Sequence, residues 1–296
     1  MARIGFVAHT QREGATGLAA ETIDWLRSQG HTATLIGGVS RGTDDTMGTP
    51  LLVEEPAGGS LPELDLAVSL GGDGTMLRTV DLVSQQGVPV LGVNLGRLGY
   101  LTAVEPDELR DALKRFLAGD FQVEARMTLG VSVGDEGAGQ PSVLHRNALN
   151  DLVLQRAAGG HTVSAEVAVN GTPFLTFAAD SIILATATGS TAYNLSARGP
   201  IVSPRARVQI LTPVAPHMLF DRSLVLDEDD AVSLKLCGAR PADLVVDGWK
   251  AATLRPGQTL YSRRGTRDAL LVRFGERDFH DILKRKFNLS GPNLNS

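Results

Sequence analysis

A single cysteine, Cys237, stands in the 296 residues. An intrachain disulfide is therefore excluded, and so is a zinc cage of several thiolates. Histidine is also sparse. The six residues His9, His31, His145, His161, His217 and His280 show no HxxxH or HxH spacing, so no metal ligands from the protein are expected. No apolar run reaches membrane-spanning length. The opening Met1-Ala2-Arg3-Ile4-Gly5-Phe6-Val7 lacks the long apolar stretch of a secretory signal and reads as a first strand. A cytoplasmic chain with no membrane partner is expected. Positive charge is not in excess either: 28 Lys and Arg against 33 Asp and Glu leave −5. That balance argues against nucleic acid as a partner. It does not bar small anions, because a cluster of backbone N–H groups outweighs a weak global field.

The remaining composition, 43% hydrophobic and 21% charged, supports a core without covalent staples. The first part of the chain alternates strand and helix signals. A β-rich run at residues 4–8 precedes apolar positions Leu18, Ala19, Ile23 and Leu26 at helical spacing, with Gly30 behind them. Strands are expected at 32–36, 64–70 and 88–93, with a helix over 75–84 and another opened by Pro106. Residues 37–60 read as loop. This order implies a Rossmann-like parallel sheet covered by helices, assigned to residues 1–118.

The pattern changes near Gly119. Strand-like runs and tight turns follow, including the hairpin signals Asn170-Gly171 and Asp247-Gly248 and a flexible tip at 135–139. Residues 119–275 are expected to form a predominantly β domain. Residues 276–296 read as a C-terminal helix and frayed tail packing on the first domain.

Four segments carry chemistry. In the first, a buried strand runs into Gly71-Gly72-Asp73-Gly74-Thr75 and a helix follows. Glycines let the backbone approach a phosphate, and the helix start offers unpaired N–H groups. Thr75 can cap that helix or contact phosphate. A carboxylate opposes anion binding unless it does chemistry or holds a metal; Asp73 is the candidate acceptor of a hydroxyl proton, and a turn Asp among glycines chosen for geometry is the alternative. The second segment, Gly92-Val93-Asn94-Leu95-Gly96, places Asn94 at a strand end, where it can bond a ligand or shape a tight turn. The third, Asn147-Ala148-Leu149-Asn150-Asp151, suits a ribose diol or an adenine edge, and suits a turn equally. The fourth runs from Ala179-Asp180-Ser181 through an apolar strand to Thr186-Ala187-Thr188-Gly189-Ser190-Thr191-Ala192-Tyr193. It holds more hydroxyls than a helix cap requires.

Taken in order, these segments resemble the NAD kinase family, which transfers phosphate from ATP to the adenosine ribose 2′-hydroxyl of NAD. The GGDGT loop alone is shared with diacylglycerol kinases, sphingosine kinases and phosphofructokinases. The discriminating stretches are PVLGVNLGRLGYLT (89–102), ALND (148–151), TGSTAYNLSARGPIVSP (188–204) and TPVAPH (212–217). The resemblance implies an α/β N-terminal domain and a β-rich C-terminal domain with the active site in the cleft. It implies that Asp73 is the catalytic acidic residue and that Gly71, Gly72, Gly74, Thr75 and Arg78 handle phosphates. Asn94, Asn150, Asp151, Asp180, Thr188, Thr191 and Tyr193 are implied to hold NAD. Magnesium is implied to arrive with ATP, and homodimers or homotetramers are implied as assemblies. Two positions depart from the family pattern. Ser181 replaces a glycine, and Ala187 replaces a proline. Both bear on the acceptor, so another hydroxyl metabolite such as a nucleoside is one alternative and a non-catalytic NAD(P) sensor another. Polyphosphate is the alternative donor.

Overall fold

The structure is a computed structural model that describes residues 1–41, 51–54, 61–96, 99–135, 142–157, 162–275 and 278–289. Within these, one compact unit holds Met1–Arg41, Leu52–Glu124 and the chain from Leu270 onward, and a second holds Ala125–Ala269.

The first unit is built on a seven-stranded sheet. Its strands are β1 (Arg3–His9), β2 (Thr32–Arg41), β3 (Leu51–Glu54), β4 (Leu66–Gly71), β5 (Val90–Asn94), β6 (Gln122–Arg126) and, from much later in the chain, β19 (Ala269–Arg273). The spatial order is β3-β2-β1-β4-β5-β19-β6. β1 pairs in parallel with β2 and β4, and β5 pairs in parallel with β4 and β19. Every residue of β4 and of β5 is buried. Such continuous burial, with only Ser69 and Asn94 polar, is the mark of parallel strands covered on both faces. The covering helices are α1 (Ala15–Ser28), α2 (Asp73–Val83) and α3 (Leu109–Leu117), and α5 (Phe279–Phe287) follows β19 and reaches the Tyr100 ring. The strand order reverses between β1 and β4. In open α/β sheets that switch point, beyond the carboxyl ends of the strands, is where ligands bind.

The second unit contains two six-stranded antiparallel sheets. One has the order β11-β10-β15-β18-β7-β8, and the other β14-β13-β12-β9-β16-β17. The strands are β7 (Leu129–Gly134), β8 (Ser142–Ala148), β9 (Asp151–Arg156), β10 (Val163–Val169), β11 (Thr172–Ala179), β12 (Ser181–Thr186), β13 (Val208–Val214), β14 (Leu224–Asp227), β15 (Val232–Leu236), β16 (Ala242–Val246), β17 (Trp249–Leu254) and β18 (Thr259–Arg264). Alternating burial along β7, β10 and β15 turns one face onto a core that includes Leu129, Val167, Phe177, Leu184 and Leu234. β12, flanked by β13 and β9, is buried throughout. It leads into a short 3-10 turn at Thr188–Thr191 and α4 (Tyr193–Ser196). Both hairpin signals form as read. Asn170 and Gly171 have φ of 51° and 77°, and Asp247 and Gly248 have 48° and 86°, the left-handed pair that a type I′ turn needs.

Several expectations are corrected. β2 continues past the glycines at 37 and 38 to Arg41; pairing of residues 37–39 with Val7, Ala8 and His9 of β1 holds the backbone there whatever the side chain. Part of the expected loop at 37–60 is β3; residues 42–50 and 55–60 lie outside the described set. The compact units divide after Glu124 and before Leu270, beside the boundaries expected at 118 and 275. The strand expected to close the β domain, β19, instead enters the parallel sheet beside β5. Its nearly continuous burial over Ala269-Leu270-Leu271-Val272-Arg273 suits that two-sided cover. Of the flexible tip expected at 135–139 all but residue 135, and the frayed tail at 290–296, fall outside the described residues.

Candidate active-site elements

In the first unit, β4 delivers the glycine loop at the switch point and α2 leaves it. The helix begins at Asp73, two residues before the expected start, and its N-cap is Gly72 in an extended conformation with no side-chain cap. Thr75 is therefore not the cap. Its side chain folds back on Gly71, where a Cβ would stand 2.1 Å from the Thr75 hydroxyl oxygen. That buried hydroxyl has no hydrogen-bond partner among the described residues. The N–H groups of the first turn stay open, as an anion site requires.

Asp73 does not hang free over this loop. Its Oδ2 accepts from the Tyr100 N–H at 2.8 Å and its Oδ1 from the Leu101 N–H at 3.0 Å. Gly99 must be glycine for this approach, since a Cβ there would lie 2.2 Å from Asp73 Oδ1. The gripping segment is itself braced. The Leu101 carbonyl accepts from Arg273 Nη1 at 3.0 Å, and Lys286 of α5 lies 4.0 Å from the centre of the Tyr100 ring. Burial, and then the Asp73 charge, raise the pKa of the Tyr100 phenol.

Arg78, one turn along α2, ion-pairs with Asp81 on the same helix. Asn94 uses its side chain internally. Its Nδ2 donates to the Gly96 carbonyl and to Glu105 Oε1, both at 3.2 Å, and its Oδ1 accepts from the Gly96 N–H at 3.3 Å. It builds the turn after β5. Beside it lies a residue the sequence did not single out, Arg12, whose guanidinium rests against Gly72 and Gly96.

The second unit organises the other candidates around Asp247, a residue whose sequence context marks only a hairpin. Its carboxylate accepts from the N–H groups of Leu149, Asn150 and Asp151 at 2.8, 2.7 and 3.0 Å. This fixes the backbone of the Asn150-Asp151 pair. Gly189 then packs against it, so closely that a Cβ would fall 2.0 Å from the Asn150 carbonyl oxygen. The glycine here serves close approach of two backbones. Thr186 ties the two strands, donating to the Leu149 carbonyl at 2.6 Å and accepting from the Gly189 N–H at 3.0 Å. Thr188 accepts from buried Arg126 at 3.2 Å, and the Thr191 hydroxyl donates to the Thr188 carbonyl at 3.3 Å. The Tyr193 N–H donates to the carboxylate of Asp151. Burial and the charge of Asp247 nevertheless push the Asp151 carboxyl up to about 7.

Asp180 stands apart from this knot, half-exposed and 3.5 Å from Arg156. Ser181, which departs from the family pattern, is buried with its hydroxyl 3.4 Å from that of Tyr193. Among the described residues, no group of three or more His, Cys, Asp or Glu is placed to hold a metal ion. No helix among them is long and apolar enough to cross a membrane.

Comparison with known proteins is consistent along the chain. The ATP-NAD kinase N-terminal domain model matches residues 4–121, and the ATP-NAD kinase C-terminal domain model matches residues 149–274. An NAD kinase of Heliobacterium modesticaldum is 39% identical over 295 residues, covering 97% of this chain and 98% of that protein. An NAD kinase of Geobacter sulfurreducens is 37% identical over 289 residues, with 97% and 98% covered. In fold, the chain is similar to the yeast NADH kinase solved with NADH, with a TM-score of 0.81, 24% identity and coverage of 100% of this chain and 90% of that one. An Archaeoglobus fulgidus NAD kinase solved with ATP gives 0.68 and 23%, with 97% and 96% covered. With both of its domain models matched and full-length relatives well above 30% identity, the chain belongs to the NAD kinase family.

Proposed function

We propose that this protein transfers the γ-phosphate of ATP to the adenosine ribose 2′-hydroxyl of NAD, giving NADP. The observation that carries the reading is Asp73, a carboxylate fixed by two backbone N–H groups at the positive end of α2, beside three glycines at the switch point of the sheet. A loop that only bound phosphate would gain nothing from that charge. In the reaction, the acceptor oxygen bonds the γ-phosphorus and the bond to the β–γ bridging oxygen breaks. The hydroxyl proton passes to Asp73, and ADP leaves with the bonding pair. Such chemistry rests on positioning and charge stabilisation.

Gly71, Gly72, Gly74 and Thr75 offer N–H groups to the donor phosphates. Asn150 and Asp151, set by Asp247, are the acceptor-recognition pair, with Thr188, Thr191 and Tyr193 adjoining. Magnesium bound with ATP would neutralise charge on the phosphates, and the protein would add few ligands of its own. A loop donor set of one carboxylate and the unpartnered Thr75 hydroxyl fits that arrangement. The protein acts in the cytoplasm as a homodimer or homotetramer in this reading, which light scattering checks.

A coupled assay for NADP, with ATP and then polyphosphate as donor and Mg2+ present, tests the function. NADP formed with ATP supports it. ATP turnover with a nucleoside but not with NAD supports the second reading, which Ser181 at the Tyr193 hydroxyl motivates. Tight NADP binding without turnover supports a sensor.

A further inference from the structure

The two loops that leave the switch-point strands are those after β1 and β4, and the first carries Arg12. A Cβ on Gly96 would stand 2.1 Å from Arg12 Nη1, and one on Gly72 would stand 3.2 Å from Nη2. Two glycines thus make room for one guanidinium, directly at the N-cap of α2. Arg12 is half-buried, and among the described residues no hydrogen bond or ion pair engages its guanidinium. Five N–H donors without an acceptor, held beside open helix N–H groups, form a place for phosphate oxygens. Arg78, the basic residue expected from sequence, has its charge answered by Asp81.

We propose that Arg12 is the cationic ligand of the donor's phosphates at the Gly71–Thr75 loop. It bonds oxygens of the β- and γ-phosphates and offsets the charge that gathers on ADP as the β–γ bridging bond breaks. This rests on the reading of that loop as the donor site. A guanidinium suits the role better than an ammonium because its fork matches two phosphate oxygens at once.

The test is steady-state kinetics with each substrate varied in turn, on wild type, Arg12→Ala, Arg12→Lys and Gly96→Ala. The expected result for Arg12→Ala is a fall of about 10- to 100-fold in kcat/KM for ATP, with KM for NAD and the Tm unchanged. Arg12→Lys recovers part of the loss. Gly96→Ala, whose methyl displaces Nη1, moves the same parameter without replacing Arg12. Unchanged kcat/KM for ATP overturns the proposal. So does a rise confined to KM for NAD, which would put Arg12 on the diphosphate of NAD. A calorimetric titration of inorganic tripolyphosphate separates this from failure of the functional reading. If wild type makes no NADP, that reading fails, while Arg12→Ala weakening tripolyphosphate binding still supports the site and unaltered binding overturns it.

Discussion

The backbone N–H of Tyr100 donates to Oδ2 of Asp73 at 2.8 Å, and Leu101 matches it on Oδ1 at 3.0 Å. Each carboxylate oxygen has two acceptor sites, so one remains on each for an attacking hydroxyl. The bonds fix the base without consuming it. They also connect it to distant parts of the sequence, since Arg273 holds the Leu101 carbonyl and Lys286 covers the Tyr100 ring. The chain's return to the first unit through β19 and α5 thereby braces the proposed base.

Replacing Asp73 by Asn removes the base and turns one amide NH2 toward a backbone N–H. The expected fall in kcat is about 10²- to 10⁴-fold, with NAD binding retained by calorimetry. A variant with near-wild-type kcat would remove Asp73 from the proton transfer.

Gly99→Ala tests the positioning of the same carboxylate without altering its chemistry. The new methyl would meet Asp73 Oδ1 at 2.2 Å and the Thr102 hydroxyl oxygen at 2.9 Å, so Asp73 must shift. A misplacement on the order of an ångström costs roughly 10²-fold in rate. Stability should fall by only about 1–3 kcal/mol, as for an overpacked site. Unchanged kcat in this variant would show that the carboxylate position has slack.

The glycine loop, the parallel sheet and both hairpins were legible because each rests on local rules of periodicity and turn chemistry. What escaped notice was chosen by tertiary contact. Asp247 looked like half of a hairpin pair because its φ demands that residue type; its three acceptor bonds cross some hundred residues of sequence. Arg12 sits in a polar turn with no local pattern, and only the glycines it packs on, Gly72 and Gly96, mark it. Asn94 shows the opposite ambiguity, because a strand-end amide looks the same in sequence whether it faces a ligand or, as its bonds to Gly96 show, its own turn.

Asp247→Ala leaves three backbone N–H groups without their acceptor, and leaving such a buried group unsatisfied costs about 1–3 kcal/mol. Alanine also tolerates the φ of 48° poorly. Urea denaturation should therefore show a loss of about 3 kcal/mol or more, with KM for NAD raised in parallel. Asp247→Asn keeps the turn and one acceptor oxygen and should lose less on both measures. Equal effects of the two variants would argue against the hydrogen-bonding role.

Ala187 has φ of −58°, within the range a proline ring imposes, and follows the extended Thr186 of β12. Ala187→Pro should restore the family residue without strain. A gain of about 0.4–1 kcal/mol is expected from the stiffer unfolded chain. A lower Tm would reveal that the Ala187 N–H or its packing is needed.

The buried Asp151 makes stability depend on pH in the direction opposite to that of an ion-paired carboxylate. Burial first, and then the charge of Asp247, push its carboxyl from 3.8 up to about 7, against the pull of the Tyr193 N–H. Below the lower value the folded and unfolded chains both hold the proton, and the group costs nothing. Between the two values the folded chain keeps a proton that the unfolded chain releases, so stability falls as pH rises. Above about 7 the penalty is complete and level, at about 4 kcal/mol at most. An amide at this position does not titrate. Urea denaturation of wild type and Asp151→Asn across this range should show the variant gaining on wild type as pH rises. Parallel pH profiles for the two proteins would show that Asp151 is ionised throughout, with Tyr193 and solvent outweighing burial and Asp247.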